Sequence, residues 1–459
     1  MNSRVLLLAC YELGHQPLSL AWPLAFLQEA GCALEALDLS IQPFSDEAAA
    51  RADFVGIAVP MHTALRLGVQ ASSRVRAVNP EAHICFFGLY AWLNAGVLLA
   101  GPADSVIAGE YELPLLELAR ALQAGRDPAS VAGVSTVSTR STPHLARLRF
   151  PIPERSTLLP LERYAHYVHN GRDALAGYVE ASRGCLHTCL HCPVVPIYGG
   201  RFFVVPAETV LADIRQQVAS GAAHITFGDP DFLNGPGHAL KVARGLHREF
   251  PEVTFDFTTK VEHILERRHL FPEFAGLGCT FVVTAVESVS DLVLRRLEKG
   301  HTPADIDEAL RILDAARVSM QPTLLAFTPW TTLDDYLAQI EFIRERGLLH
   351  HIPPIQLAIR LLVPPGSALL SGPDTREWLG ELDPEAFTYR WTHPDSRMDR
   401  LYERVSARVE LAETSGESPL QTFEAIRSLA YAAAGRSISS NPSAPLRPAP
   451  PRLTENWFC

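Results

Sequence analysis

Three features are missing from this 459-residue sequence. No block of lysine and arginine stands out, and the formal net charge is −11. A nucleic-acid surface shows as a basic stripe, so nucleic acid is excluded and a small-molecule substrate is expected. No apolar run is long enough to cross a bilayer, which takes about 20 residues. The opening MNSRVLLLACYELG has one arginine, a short apolar run and no small-residue cleavage site. It reads as a first strand, not a signal peptide. No membrane partner is expected, and the setting is cytoplasmic. The third missing feature is a second Cys-x2-Cys pair of the kind a zinc ribbon brings.

What is present is a βα rhythm. Over residues 1–125 the strand-like runs RVLLLACY, CALEALDLS, FVGIAVPM, HICFFG and SVIAGE alternate with helical stretches. That alternation predicts a parallel sheet. Residues 126–174, rich in proline, arginine and serine, read as a connector on the surface. Residues 175–370 resume the rhythm through GYVEAS, HITFGD, VTFDFTT, TFVVTAVE, SMQPTLLAF and PIQLAIRLL. Six such repeats predict a closed or partial parallel barrel, with catalytic groups at the carboxyl ends of its strands. Residues 371–435 read as helical, including EWLGELDPEAF. Residues 436–459 form a flexible, proline-rich tail ending in Cys459. The fold class is therefore α/β: a Rossmann-like N-terminal domain, a partial (β/α)6 barrel and a small helical C-terminal region.

Eight cysteines are present, and three crowd into ASRGCLHTCLHCPVVPIYGG as Cys185, Cys189 and Cys192. A long chain without a secretory leader argues against a disulfide framework, so the trio suggests metal. Thiolates are soft donors that suit iron–sulfur chemistry. Three of them hold three irons of a cubane and leave the fourth open. The alternative is zinc bound by three cysteines and His187 or His191.

The stretch from Gly184 to Tyr198, at the end of the first strand of a six-fold βα domain, resembles the radical S-adenosylmethionine (SAM) superfamily. The resemblance covers residues 175–370. It implies an enzyme with a 4Fe–4S cluster on Cys185, Cys189 and Cys192, and SAM chelated to the open iron. It also implies cleavage of a carbon–sulfur bond and a reductant such as flavodoxin or ferredoxin. Gly228, Asp229 and Asp231 fall where the family contacts the SAM amino group. Glu287 and Ser288 fall near the ribose or amino-acid part, and Arg360 is placed to pair with a carboxylate. His191 stands where the family often has an aromatic residue near the adenine.

Residues 1–125 resemble the cobalamin-binding domain that precedes many radical SAM cores, so cobalamin is a further candidate cofactor. The Asp-x-His-x-x-Gly ligand pattern is absent, since His15 in YELGHQP lacks the aspartate. If the cofactor has been lost, Tyr11, His15, His62 and Tyr90 line a substrate or docking surface instead.

The ending RLTENWFC resembles a subgroup whose members carry Trp-Phe-Cys followed by cysteine or selenocysteine and Ala-Glu-Pro. On that resemblance the chain stops where a selenocysteine codon is read as a stop. The segments YELGHQP, AIRLLVPPGS and YRWTHPDSRMD look like the arsenic-linked members, similar to the arsinothricin biosynthesis enzyme. That implies transfer of a 3-amino-3-carboxypropyl group to trivalent arsenic, with Cys459 as a candidate substrate carrier. The alternatives are cobalamin-dependent radical methylation and a non-enzymatic iron–sulfur or zinc protein that senses redox state or metalloid.

Overall fold

In the computed structural model, residues 4–372, 374–438 and 445–455 are described. Cys459 lies outside them.

The N-terminal sheet contains β1 (Arg4–Ala9), β2 (Ala33–Asp38), β3 (Phe54–Ala58), β4 (His83–Phe87), β5 (Ser105–Ile107) and β6 (Val134–Ser135). The order is β2-β1-β3-β4-β5-β6. The first five run parallel, and β6 returns antiparallel to β5. The run VLLLA of β1 is apolar throughout because both its faces are covered. Val5, Leu7 and Ala9 join one core with Leu20 and Leu118, whereas Leu6 and Leu8 join the other with Leu65 and Val75. This is a doubly wound order, whose ligands bind at the carboxyl ends where the winding reverses, here between β1 and β3.

The second sheet opens with β7 (His166–His169) and β8 (Arg172–Val179). A side ribbon of β9 (Ser182–Gly184) and β10 (Phe202–Val204) follows. The sheet continues through β11 (His224–Phe227), β12 (Thr254–Thr259), β13 (Cys279–Glu287) and β14 (Ser319–Leu324). A hairpin of β15 (Leu379–Asp383) and β16 (Thr388–Trp391) and a terminal β17 (Arg452–Leu453) complete the strands. The seven-stranded order is β14-β13-β12-β11-β8-β7-β17. Strands β8, β11, β12, β13 and β14 are parallel neighbours, and β7 and β17 pair antiparallel at one edge. This is the α/β class with a partial barrel, as expected.

Four expectations change. The sixth strand, from PIQLAIRLL, is instead a 3-10 turn (Pro354–Ala358) with a single bridge from Arg360 to Phe327. Pro353 precedes it, Pro354 opens it, and Pro364 and Pro365 follow it, which limits ladder bonding. The stretch EWLGELDPEAF is mostly the β15–β16 hairpin, not a helix. Its Asp383 carboxylate accepts from Glu385 N and Ala386 N, at 3.1 and 3.0 Å, and so folds the turn.

The connector is not confined to the surface. Phe150, Arg155 and Leu161 are buried, and Arg155 joins Gln16 of one domain to Asp213 of the other. The tail is not loose over residues 445–455. Arg447 donates to the Arg346 carbonyl at 2.8 Å, Gln321 bonds the Pro451 carbonyl, and β17 adds to β7.

The helix Leu18–Leu27 lies between the two units with every residue buried. Leu20, Leu24 and Leu27 pack into the N-terminal core, and Leu18, Ala21, Trp22 and Phe26 into the barrel core. It is apolar all round because it is covered all round.

Candidate functional site at the domain seam

The three cysteines occupy a loop held at its base by β9 and β10, which pair Gly184 with Phe202. Gly184 has φ +75°, and a Cβ there would lie 2.4 Å from the Arg201 carbonyl oxygen and 2.5 Å from the Tyr198 ring. Only glycine fits. Tyr198, in the short helix Val195–Tyr198, donates to Glu110 Oε1 at 2.8 Å and fastens the loop to the N-terminal domain. Gly184→Ala is therefore expected to reduce cluster iron at least about tenfold, because a positive-φ alanine and a backbone clash displace Cys185. Iron per chain, measured beside a circular dichroism spectrum, checks this.

Cys185 and Cys189 are buried, Cys192 is half-buried, and none is in a disulfide. Burial pushes the Cys192 thiol up to about 12, and the neighbouring Cys189 and Cys185 add to the rise. Burial also raises Cys185. Bare thiolates are thus disfavoured here unless a metal charge offsets them, which fits a metal-loaded trio. Among the described residues the three sulfurs do not form a set with all atoms within 4.8 Å of one another, the spacing met by His187, Asp231 and His263. A single zinc ion needs that tight spacing, whereas a cubane holds its ligands wider apart. The donor set and its spread fit a cluster.

Above the loop is a cavity of about 540 Å³. The N-terminal domain contributes the residues after β3, β4 and β5, including His62 and Tyr90. The barrel contributes strand ends, including Gly228, Thr258, Glu287 and Thr323. Carboxyl ends from both sheets therefore face one space, where βα architectures bind ligands.

The expected residues divide on inspection. Cys185, Cys189, Cys192, His191, Gly228, Glu287 and Arg360 line the cavity. A Cβ on Gly228 would lie 2.3 Å from Tyr178 Oη, so only glycine fits against that ring at the cavity wall. Glu287 has φ +64°, a strained position of the kind found at binding sites. Burial raises its pKa, but the Lys299 ammonium at 3.2 Å and His191 at 3.4 Å outweigh this and hold Glu287 down at about 2.

Asp229, Asp231 and Ser288 stand just behind the cavity wall, next to the lining residues Gly228, Pro230 and Glu287. Asp229 accepts from Ala181 N and Ser182 Oγ, and burial raises it to about 7. Asp231 accepts from Leu233 N, Thr259 Oγ1, Lys260 N and His263 Nδ1. Ser288 caps Ser290 N at 3.1 Å. Arg360 is pinned by Asp399 at 2.9 Å and by the Trp391 carbonyl at 2.8 Å, with its guanidinium 3.6 Å from the Trp391 ring centroid.

Tyr11 and His15 also leave the expected lining. Tyr11 bonds Glu455, and His15 stacks on Tyr178 at 4.1 Å, where burial lowers it to about 3. Lys299 and Lys260 line the cavity and were missed. Lys299 follows the charged run RRLE, and Lys260 follows the strand VTFDFTT with no motif of its own, so no local signal marked them.

Beside the cavity Arg183 crosses the seam, buried. It meets Glu112 and Glu180 at 2.7 Å and Glu110 at 3.3 Å. Its guanidinium stands over Phe150, Tyr111 and Trp22 at 5.0, 5.5 and 5.7 Å.

Residues 179–339 match the family model of the radical SAM superfamily. An uncharacterized methyltransferase of Pyrococcus horikoshii is 24% identical over 250 residues, covering 53% of this chain and 53% of that protein. The hopanoid C-3 methylase of Methylococcus capsulatus is 22% identical over 324 residues, covering 69% and 62%. The chain thus spans about half the length of the curated relatives it matches, more for the second.

Two solved structures share the fold. The apo form of the cobalamin-dependent radical enzyme OxsB superposes with TM-score 0.73 at 15% identity, covering 94% of this chain and 72% of that one. The radical SAM methyltransferase TsrM of Kitasatospora setae gives TM-score 0.60 at 18% identity, covering 74% and 71%. Among the described residues no helix is long and apolar enough to cross a membrane. Residues 179–339 thus carry the match to the radical SAM superfamily, whose cofactors are a 4Fe–4S cluster and SAM.

Proposed function

We propose that Cys185, Cys189 and Cys192 hold the cluster, that SAM lies in the cavity above them, and that the enzyme transfers a carbon-centred group to a small acceptor there. The observation that carries this is the placement of the three thiols on a cavity between two sets of strand ends. Its volume suits one cofactor-sized ligand and little more, since such sites run about 300–1,000 Å³. When bound, the reduced cluster supplies the electron that cleaves SAM. A partner such as flavodoxin or ferredoxin delivers that electron in the cytoplasm.

The chain's own residues position the ligand. Gly228, at the cavity wall, offers its carbonyl to the SAM amino group. Glu287, ionised and held by Lys299, offers a carboxylate to the ammonium or the ribose. The seam excludes water, which protects a reactive carbon centre.

The finer reading is 3-amino-3-carboxypropyl transfer to trivalent arsenic. It is supported by where the three subgroup-like segments lie. Glu12 and Leu13 of YELGHQP and Arg360 to Leu362 of AIRLLVPPGS line the cavity. From YRWTHPDSRMD, the Trp391 carbonyl and Asp399 fix Arg360. Dithionite-reduced enzyme with SAM and arsenite should release methylthioadenosine. Unchanged 5′-deoxyadenosine with or without arsenite rejects the arsenic reading. No SAM cleavage at all rejects the enzymatic one.

Cobalamin-dependent methylation draws support from the doubly wound N-terminal sheet. Against it, the chain lacks the Asp-x-His-x-x-Gly ligand pattern, and His15 is buried against Tyr178. Full activity in corrinoid-free protein excludes it.

A further inference from the structure

We infer that His187, Asp231 and His263 form a second metal site, for one first-row divalent cation of the zinc or iron(II) type, beside the cysteine loop. Their ligand atoms all lie within 4.8 Å of one another. Asp231 Oδ2 is 2.9 Å from His263 Nδ1 and 3.6 Å from His187 Nε2. Ligands about 2.0–2.2 Å from a shared ion sit roughly 3.0–3.6 Å apart, so the two Asp231 distances are close to those of a coordinated set.

One unsatisfied atom supports the assignment. His187 Nε2 is buried without a hydrogen-bond partner, whereas Glu262 Oε2 is taken up by the Lys260 ammonium. His187 Nδ1 lies 3.5 Å from that Glu262 oxygen. A proton on Nδ1 points His187 at Glu262, the carboxylate–histidine pairing that usually backs a metal ligand. It also leaves the Nε2 lone pair facing the Asp231 carboxylate, an arrangement that a cation between them stabilises.

The opposite tautomer accepts from the Lys260 ammonium at 3.2 Å. It then offers Asp231 a 3.6 Å contact, too long for a hydrogen bond. Lys260 itself is ion-paired with Glu262, so its charge is balanced.

The Asp231 carboxylate is already oriented. Thr259 Oγ1 and Leu233 N hold Oδ1 at 2.7 and 3.0 Å. Two histidines and a carboxylate suit zinc or iron(II), not an iron–sulfur cluster. Asp231 follows β11, and His263 follows β12 in the helix Val261–Glu266. A cation here ties the loop between Cys185 and Cys189 to the barrel rim.

The test uses anaerobically reconstituted full-length enzyme, equilibrated with zinc sulfate, desalted and analysed for iron and zinc. About one zinc per chain is expected beside the cluster iron. His263→Ala and the less buried His187→Ala should each cut zinc at least tenfold while iron stays. His269→Ala, an exposed histidine, should retain both metals. Less than a tenth of a zinc per chain in the wild type overturns the site. Zinc that persists in both variants also overturns it, since that zinc sits elsewhere, including on the cysteines. The iron value reads the cluster separately, so the two assignments fail independently.

Discussion

Replacing any one of Cys185, Cys189 or Cys192 with serine is expected to abolish SAM cleavage, by about a thousandfold or more, since three thiolates are the cluster's whole protein ligand set. Serine keeps the volume and loses the soft donor. The loop should survive. Its geometry is set by the β9–β10 pairing, by Gly184 and by the bond from Tyr198 to Glu110. The Cys185 thiol makes only a long contact, 3.8 Å, to Asn234 Oδ1. The expected result is folded protein with depleted iron and neither 5′-deoxyadenosine nor methylthioadenosine. A serine variant that retains wild-type turnover refutes the ligand assignment for that cysteine.

The largest expected effect on stability comes from Arg183→Met. The guanidinium is the positive charge among Glu110, Glu112 and Glu180, all at the seam. Removing one partner of a buried ion set leaves uncompensated charge and costs about 3–5 kcal/mol. Methionine keeps most of the apolar stem, so loss of packing against Phe150 and Trp22 is the smaller part.

The effect should depend on pH. Burial raises Glu112 to about 7, with Arg183 pulling it down and Glu110 pushing it up. Burial raises Glu12 to about 7 as well. Raised carboxyl groups hold protons in the folded state that they lose when unfolded. Their contribution is complete below the free value near 4.5 and is lost as pH rises through 7. The wild type should therefore be less stable to denaturant at pH 8 than at pH 6. The Arg183→Met variant should show a steeper fall, because its carboxyls lack their counterion. Equal losses at both pH values refute this account of the seam.

The N-terminal strands were legible because each is an apolar run whose two faces meet two cores. Gly184 and Gly228 drew notice through the segments they sit in, and both prove to be places where a side chain cannot fit. The helix Leu18–Leu27 lacks a polar stripe, so its position between two domains has no periodic signature. The β15–β16 hairpin was hidden by helix-favouring glutamates, while the deciding interaction was the turn made by Asp383. Asp229, Asp231 and Ser288 were expected at the ligand from the resemblance of their segments to the family, and local pattern could not show that each also accepts from a backbone N–H group. Lys299 and Lys260 went unseen because a lysine is recognised as functional only when tertiary structure buries it.

Strand β17 bears on the order in which the molecule can be assembled. It covers the outer edge of β7, through residues as far apart in sequence as His166 and Thr454, 288 positions. A nascent chain emerges from its N-terminus, so β7 and β8 leave the ribosome long before their neighbour exists. Until then the edge of β7 exposes unpaired backbone groups that invite pairing with other chains. Pairing of β17 thus ends a period of vulnerability for that edge.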